Sequence, residues 1–210
     1  MRVIEPSVEL IGPADGEEIL RRLELAGRVC YKSEDRITAD SAARFVRGIL
    51  KSQHESVIEH VSLSARLICD RGVSHEIVRH RLASYSQEST RYCNYTKGKF
   101  GGELTFIRPC FWQENTPPMA AWEKSCQAAE DNYFALIKLG AKPEEARGVL
   151  PNSLKTELVM TANLREWRHF FRLRTAAASH PQMRQLAKML LAEMRAKIPV
   201  LFDDIGDSEG

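Results

Sequence analysis

Residues 61–70 constrain the fold most strongly. Val61, Leu63, Ala65, Leu67 and Cys69 alternate with Ser62, Ser64, Arg66 and Asp70, and Ile68 alone breaks the period of two. That pattern gives a strand with one apolar and one wetter face, which requires a sheet covered on one side. Helical periodicity surrounds it. Asp15 can cap a segment in which Glu18 follows three residues on and Ile19, Leu23, Ala26 and Cys30 share a face. Ala42, Phe45, Val46, Ile49 and Leu50 form a second stripe. Trp122, Cys126, Ala129, Tyr133 and Ile137 mark a long helix over 117–139 that Gly140 can end, and 144–149 gives a short one before Pro151. Asn163 offers an N-cap with Glu166 as its partner, ahead of Leu164, Trp167, Phe170 and Phe171. Met183, Leu186, Ala187, Leu190 and Met194 follow Pro181 along one last face. Val3, Val8, Leu10 and Ile11 read as a short opening strand ended by Pro13, 104–107 as another strand, and 156–162 as either strand or helix. The expectation is a single α/β domain over 1–210, helices outnumbering strands, with a frayed acidic tail at 203–210.

Composition narrows the function classes. A net charge of +2 is too small for a general polyanion binder. No apolar run is long enough to span a bilayer, and Met1-Arg2-Val3-Ile4-Glu5-Pro6 is too soon interrupted for a secretory leader, so no membrane and a cytoplasmic location are expected. Cysteines at 30, 69, 93, 110 and 126 contain no C-x-x-C pair; their spacing points to buried reduced thiols, with neither a disulfide framework nor a metal site.

The segment Arg79-His80-Arg81-Leu82-Ala83-Ser84-Tyr85-Ser86-Gln87-Glu88-Ser89-Thr90-Arg91 has no packing rationale and suits an anion. Guanidinium forks match phosphate oxygens in pairs, and serine hydroxyls add neutral hydrogen bonds. Val73, Ile77 and Val78 place a short amphipathic helix before it, so Arg79 and Arg81 point in different directions, while Ser84, Ser86, Ser89 and Arg91 favour a loop. Further arginines at 147, 165, 168, 172 and 174 could converge on one small phosphorylated ligand. The glycine run 97–102 is a turn and has neither P-loop nor dinucleotide spacing. Blander readings stand beside these: a solvated basic loop, a solvated stripe of Arg165, Arg168 and Arg172, surface or structural roles for His60, His75 and His180, and core roles for Trp122, Trp167, Phe170 and Phe171. A non-catalytic nucleic-acid binder stacking bases on Tyr85, Tyr92 and Tyr95 is the competing class, and the near-neutral charge weighs against it.

Arg79-His80-Arg81, followed by seven residues and Ser89, resembles the signature of the flavin-dependent thymidylate synthases. His54-Glu55-Ser56 with Glu59-His60, Ala146-Arg147 with Val149-Leu150-Pro151, Asn163 with Arg165, and Leu173-Arg174 resemble further family segments in the same order. The resemblance implies an α+β fold with a mixed or antiparallel sheet flanked by helices. It implies conversion of dUMP to dTMP with 5,10-methylenetetrahydrofolate as carbon donor and NADPH as reductant through bound FAD, in a homotetramer whose active sites are shared between subunits. The implied dUMP contacts are Arg79, Gln87, Glu88, Ser89, Thr90, Arg91, Arg147 and Arg174, with Arg174 as the catalytic group. The implied FAD contacts are His54, Ser56, Glu59, Arg79, His80, Arg81, Gln87, Asn163, Arg165 and His169. Glu76 stands where related sequences often have glutamine, and Gln87 and His169 also depart from common family residues. Ser89 is assigned to binding because its neighbouring arginines stay protonated and cannot serve as a base. A family member that has lost activity is the remaining alternative.

Overall fold

The computed structural model describes residues 1–96 and 101–206. In chain order the elements are β1 (Arg2–Ile4), β2 (Ser7–Ile11), α1 (Gly16–Val29), α2 (Ser41–Lys51), β3 (Ser62–Asp70), α3 (Arg71–Ile77), β4 (Ala83–Gln87), β5 (Thr105–Ile107), α4 (Pro117–Lys138), α5 (Pro143–Ala146), β6 (Lys155–Asn163), α6 (Leu164–Arg174), α7 (Pro181–Lys197) and α8 (Pro199–Phe202). Short 3-10 segments lie at Glu34–Arg36, Glu55–His60 and Arg147–Val149. Four strands form a sheet in the order β2-β3-β6-β4, and β1 pairs with β5 in parallel, Val3 opposite Phe106. The fold is mixed helix and sheet and includes an antiparallel sheet, as expected.

Local chemistry accounts for the boundaries. In β3 the buried residues include Leu63, Ala65, Leu67 and Cys69, as the alternation requires. The ambiguous stretch is the strand β6, whose Thr156, Leu158, Met160 and Ala162 are buried alternately. It cannot run on as a strand, because Asn163 takes an extended backbone and its side chain accepts the Glu166 N–H, starting α6. Asp15 does the same for α1, accepting from the N–H groups of Glu17 and Glu18. Gly16 is required there by space: a Cβ would collide with the Lys197 carbonyl oxygen.

The chain forms two compact units. One comprises Met1–Ser7, Leu67–Arg79 and Ser86–Leu158. Its core gathers Tyr95, Leu104, Phe106, Cys126, Tyr133, Ala146 and Leu154, with Trp122 half-buried beside them. The other comprises Val8–Arg66, His80–Tyr85 and Val159–Gly210. There Trp167, Phe170, Phe171 and Phe202 interlock at centroid separations of 5.5–5.9 Å, and the Trp167 indole N–H donates to the Leu63 carbonyl at 3.0 Å. Each buried aromatic of this kind contributes about 1.5–3 kcal/mol.

Several expectations need correction. The opening strand is two strands, β1 and β2. The serine segment expected as loop contains β4, at the end of the four-stranded order, where pairing of the backbone overrides serine's low strand preference. Cys30 is exposed, and Glu24 and Gly27 are buried on α1; of the thiols only Cys69 and Cys126 are buried, Cys93 is half-buried and Cys110 is exposed. The acidic tail is ordered as far as it is described: Asp204 pairs with Arg168, and Ile205 is buried. The expected glycine turn includes 97–100, and the expected frayed tail includes 207–210; both stretches lie outside the described residues.

Candidate functional site

His80 is the centre of a polar cluster in the unit that contains α6. Its ring is buried, with Nδ1 3.0 Å from Glu166 Oε1 and Nε2 3.0 Å from Arg174 Nε. A guanidinium only donates, so Nε2 must be the bare, accepting nitrogen, and the proton sits on Nδ1, donated to Glu166. The result is a succession of carboxylate, neutral imidazole and guanidinium. Burial holds the His80 pKa below its ordinary value, reinforced by the positive Arg174 and by His169, against the pull of Glu166 in the other direction. The Tyr85 hydroxyl donates to the His80 carbonyl at 2.6 Å, and its pKa is pushed up to about 12 by burial and by Glu166, so it stays a donor. Phe170 packs its edge on the His80 ring at 4.9 Å, and His169 lies exposed with its ring centroid at 5.6 Å. His80, Glu166 and His169 offer ligand atoms within 4.8 Å of one another. A cation there would compete with Arg174 for the bare nitrogen, or with the proton on Nδ1, so the set is organised for a guanidinium rather than for a metal.

In the same unit an ion-pair network joins α6 to Glu55–His60. Arg165 pairs with Glu59 at 2.6 Å, Arg172 with Glu55 at 3.2 Å, and Arg168 with Asp204 at 2.6 Å. Arg168, 1% exposed, lies 3.8 Å from Glu55 as well. The blander reading of Arg165, Arg168 and Arg172 as a solvated stripe does not hold for Arg168, which is buried, and all three have acidic partners. His54, Ser56, Arg81 and His169 expose their side chains. Asn163 has its Oδ1 engaged as the α6 cap, which leaves its amide N–H groups as donors.

The other unit holds a second cluster. Glu88 accepts from Lys155 Nζ at 2.8 Å and from the Tyr95 hydroxyl at 3.3 Å. Thr90 is buried and its hydroxyl accepts from Arg147 Nη1 at 3.4 Å. Ser89 Oγ accepts the Arg91 N–H at 3.2 Å, which turns the backbone so that Arg91 extends over the Tyr92 ring, 5.0 Å from its centroid, and within 3.9 Å of Glu144. Gln87 donates to Ser74 at 2.9 Å and to Thr156 at 3.1 Å, so its amide nitrogen is engaged inside this unit. Arg79 is exposed and Glu76 half-buried. Glu88, Ser89, Thr90, Arg91 and Arg147 thus lie in this unit, and in the other His80 meets Arg174 and His169, while Asn163 caps α6 and Arg165 pairs with Glu59. Reading the sequence missed Glu166, Lys155 and Tyr85 as site residues. Glu166 sits at the third helical position, where a capping partner is the ordinary expectation, and its carboxylate goes to His80 instead.

Residues 15–200 match the family model described as thymidylate synthase complementing protein. A flavin-dependent thymidylate synthase from Geobacter sulfurreducens is 34% identical over 189 residues, 87% of this chain and 80% of that protein. One from Pyrococcus furiosus is 34% identical over 80% of this chain and 68% of its own. A UMP/dUMP methylase from Streptomyces cacaoi, crystallised with 5-Br dUMP, superposes with a TM-score of 0.78 at 25% identity, covering 97% of this chain and 96% of the other.

Proposed function

Since this chain belongs to the thymidylate synthase complementing protein family, that of the flavin-dependent thymidylate synthases, we propose the way its own residues carry out methylation of dUMP to dTMP. The enzyme is a flavin-dependent methyltransferase acting on dUMP. The carbon donor is 5,10-methylenetetrahydrofolate, the reductant NADPH and the flavin FAD. When bound, the flavin supplies the reducing equivalents. The donor set of the α6 unit fits FAD: His54, Ser56, Arg81 and His169 offer exposed imidazole, hydroxyl and guanidinium groups suited to a diphosphate and to ring oxygens and nitrogens, and Asn163, Arg165 and Glu59 add further polar atoms. Arg79 and Gln87 complete the proposed polar FAD contacts, and His80, whose ring nitrogens are taken by Glu166 and Arg174, takes part through Arg174.

Arg174 acts on the pyrimidine, where its fixed positive charge stabilises the negative charge that develops as the ring is activated. Arg79, Gln87, Glu88, Ser89, Thr90, Arg91 and Arg147 bind dUMP; Arg91 and Arg147 supply fork donors for its phosphate. Ser89 binds rather than attacks, because its hydroxyl accepts from the Arg91 backbone N–H and the adjacent carboxylate of Glu88 is engaged by Lys155 and Tyr95. We propose further that the whole chain works as one domain, since neither unit is a continuous stretch of sequence. The proposed assembly is a homotetramer with shared sites, consistent with the exposed apolar face of α1 at Leu25 and Val29. A cytoplasmic setting suits the reductant; among the described residues no helix is long and apolar enough to cross a membrane.

The observation that carries this reading is the line from the buried Glu166–His80 pair to the half-buried Arg174, an arrangement around one guanidinium that a solvated basic loop would not need. The test incubates purified protein with dUMP, methylenetetrahydrofolate and NADPH and follows dTMP together with flavin absorbance. Formation of dTMP that requires all three and bound flavin is expected. A folded protein that takes up no FAD from excess cofactor and forms no dTMP overturns the reading.

A further inference from the structure

We propose that Glu166 is a positioning residue for Arg174, acting through the tautomer of His80. The proposal deepens the role given to Arg174 above and rests on it. Three observations in one unit carry it. Glu166, 7% exposed, approaches His80 Nδ1 to 3.0 Å and can only accept when ionised. Arg174 approaches the opposite nitrogen through Nε, not through either terminal nitrogen. Tyr85 and Phe170 hold the residue between them, the first by its hydroxyl on the His80 carbonyl and the second by its ring edge.

An imidazole without Glu166 could place its proton on either nitrogen. With the proton on Nε2, that nitrogen would confront the Arg174 N–H as a second donor, and the guanidinium would have to turn away. The carboxylate removes that alternative. Anchoring Arg174 by Nε fixes the plane of the guanidinium and hence the directions of its terminal N–H groups, which a bond to a single terminal nitrogen would leave free to rotate. Glu166 therefore sets a direction without touching the reacting atoms, in the way that outer partners orient a histidine ligand.

Long-range 15N NMR of the His80 ring reads the tautomer without any turnover: Nδ1 protonated and Nε2 bare is expected in the wild type. In Glu166→Ala the two tautomers should mix and kcat should fall on the order of 10–100-fold, with the KM for dUMP within about threefold. Glu166→Gln keeps a carbonyl acceptor for Nδ1–H and the helix-start position, and should recover most of the rate. A wild-type ring protonated on Nε2, or a folded Glu166→Ala protein with wild-type kcat, overturns the proposal. If Glu166→Ala does not fold, the wild-type spectrum and the rate of Glu166→Gln still decide. Absence of dTMP formation in the wild type, with the expected tautomer intact, would sink the functional reading alone.

Discussion

Replacing Asp204 by alanine should test whether the C-terminal turn is structural. The Arg168 guanidinium is 1% exposed and meets both Asp204 oxygens, Nη1 at 2.7 Å and Nη2 at 2.6 Å, while a further bond reaches the Leu201 carbonyl. Truncating the partner of a buried charge costs about 3–5 kcal/mol when both groups are desolvated. Here the Asp204 carboxylate is 52% exposed and Glu55 remains 3.8 Å from Arg168, so screening and the surviving acid reduce the loss. A value of about 2 kcal/mol follows. For a chain of this size that lowers Tm by roughly 4–8 °C. The measurement is urea unfolding at pH 7 of the wild type, Asp204→Ala, Arg168→Met and the double variant. If the pair is responsible, Asp204→Ala should cost within about 0.5 kcal/mol of nothing once Arg168 is methionine. A loss in the single variant below about 0.5 kcal/mol, or the same loss in both backgrounds, would refute the reasoning.

Other outcomes follow from the two clusters. Arg174→Ala should lower kcat by roughly 100–1,000-fold in a folded protein, whereas Ser89→Ala should raise the KM for dUMP and keep turnover at saturation; steady-state kinetics with dUMP decide, and complete loss of kcat in Ser89→Ala would reinstate a nucleophile. Acid should destabilise the fold in two stages. The depressed His80 pKa means the unfolded chain takes the proton first, so stability present above about pH 6.5 is lost below it, with Glu166, His169 and Arg174 on α6 as the groups acting on that ring and the Tyr85 hydroxyl on β4 held at the His80 carbonyl. Arg168 holds the Asp204 carboxyl below its usual range, so that contribution is present above about pH 4 and disappears below it. Urea midpoints against pH should show both steps, and His80→Gln should flatten only the upper one. Exchanging the exposed Cys30 and Cys110 for serine should leave dTMP formation unchanged, since the proposed chemistry uses no thiol.

Some of this was legible in the chain and some was not, for identifiable reasons. The β3 strand was legible because its two faces differ sharply in polarity. The Asp15 and Asn163 caps were legible because an oxygen acceptor at a helix start has one geometric use. The β6 strand was ambiguous because Val159 and Thr161 on its half-buried face are nearly as strand-like as Leu158 and Met160 on its buried face, which erases the period. The serines of β4 read as loop because their local preference was the only signal available, and the pairing that overrides it comes from residues far along the chain. Arg168 read as surface because helical spacing groups it with Arg165 and Arg172; the carboxylate that makes its burial tolerable is 36 residues later.

Glu166 carries the sharper lesson about motifs. The ordered family segments name His80 and Arg174, yet no motif shows that the imidazole nitrogen facing Arg174 is balanced across the ring by a carboxylate, and the chemistry proposed for Arg174 rests on that pairing. The determinant is a side chain whose backbone N–H closes the Asn163 cap while its carboxylate leaves the helix to meet His80. A glutamate at the third helical position has the look of a capping-box partner, so its identity reads as ordinary. The two uses separate only in space: capping needs the backbone N–H, which any residue but proline supplies, whereas the His80 contact needs an acceptor at the end of that particular side chain. A glutamine satisfies both demands and an alanine satisfies one. The difference in rate between those two variants at position 166 therefore measures the tautomer control with the helix start held constant.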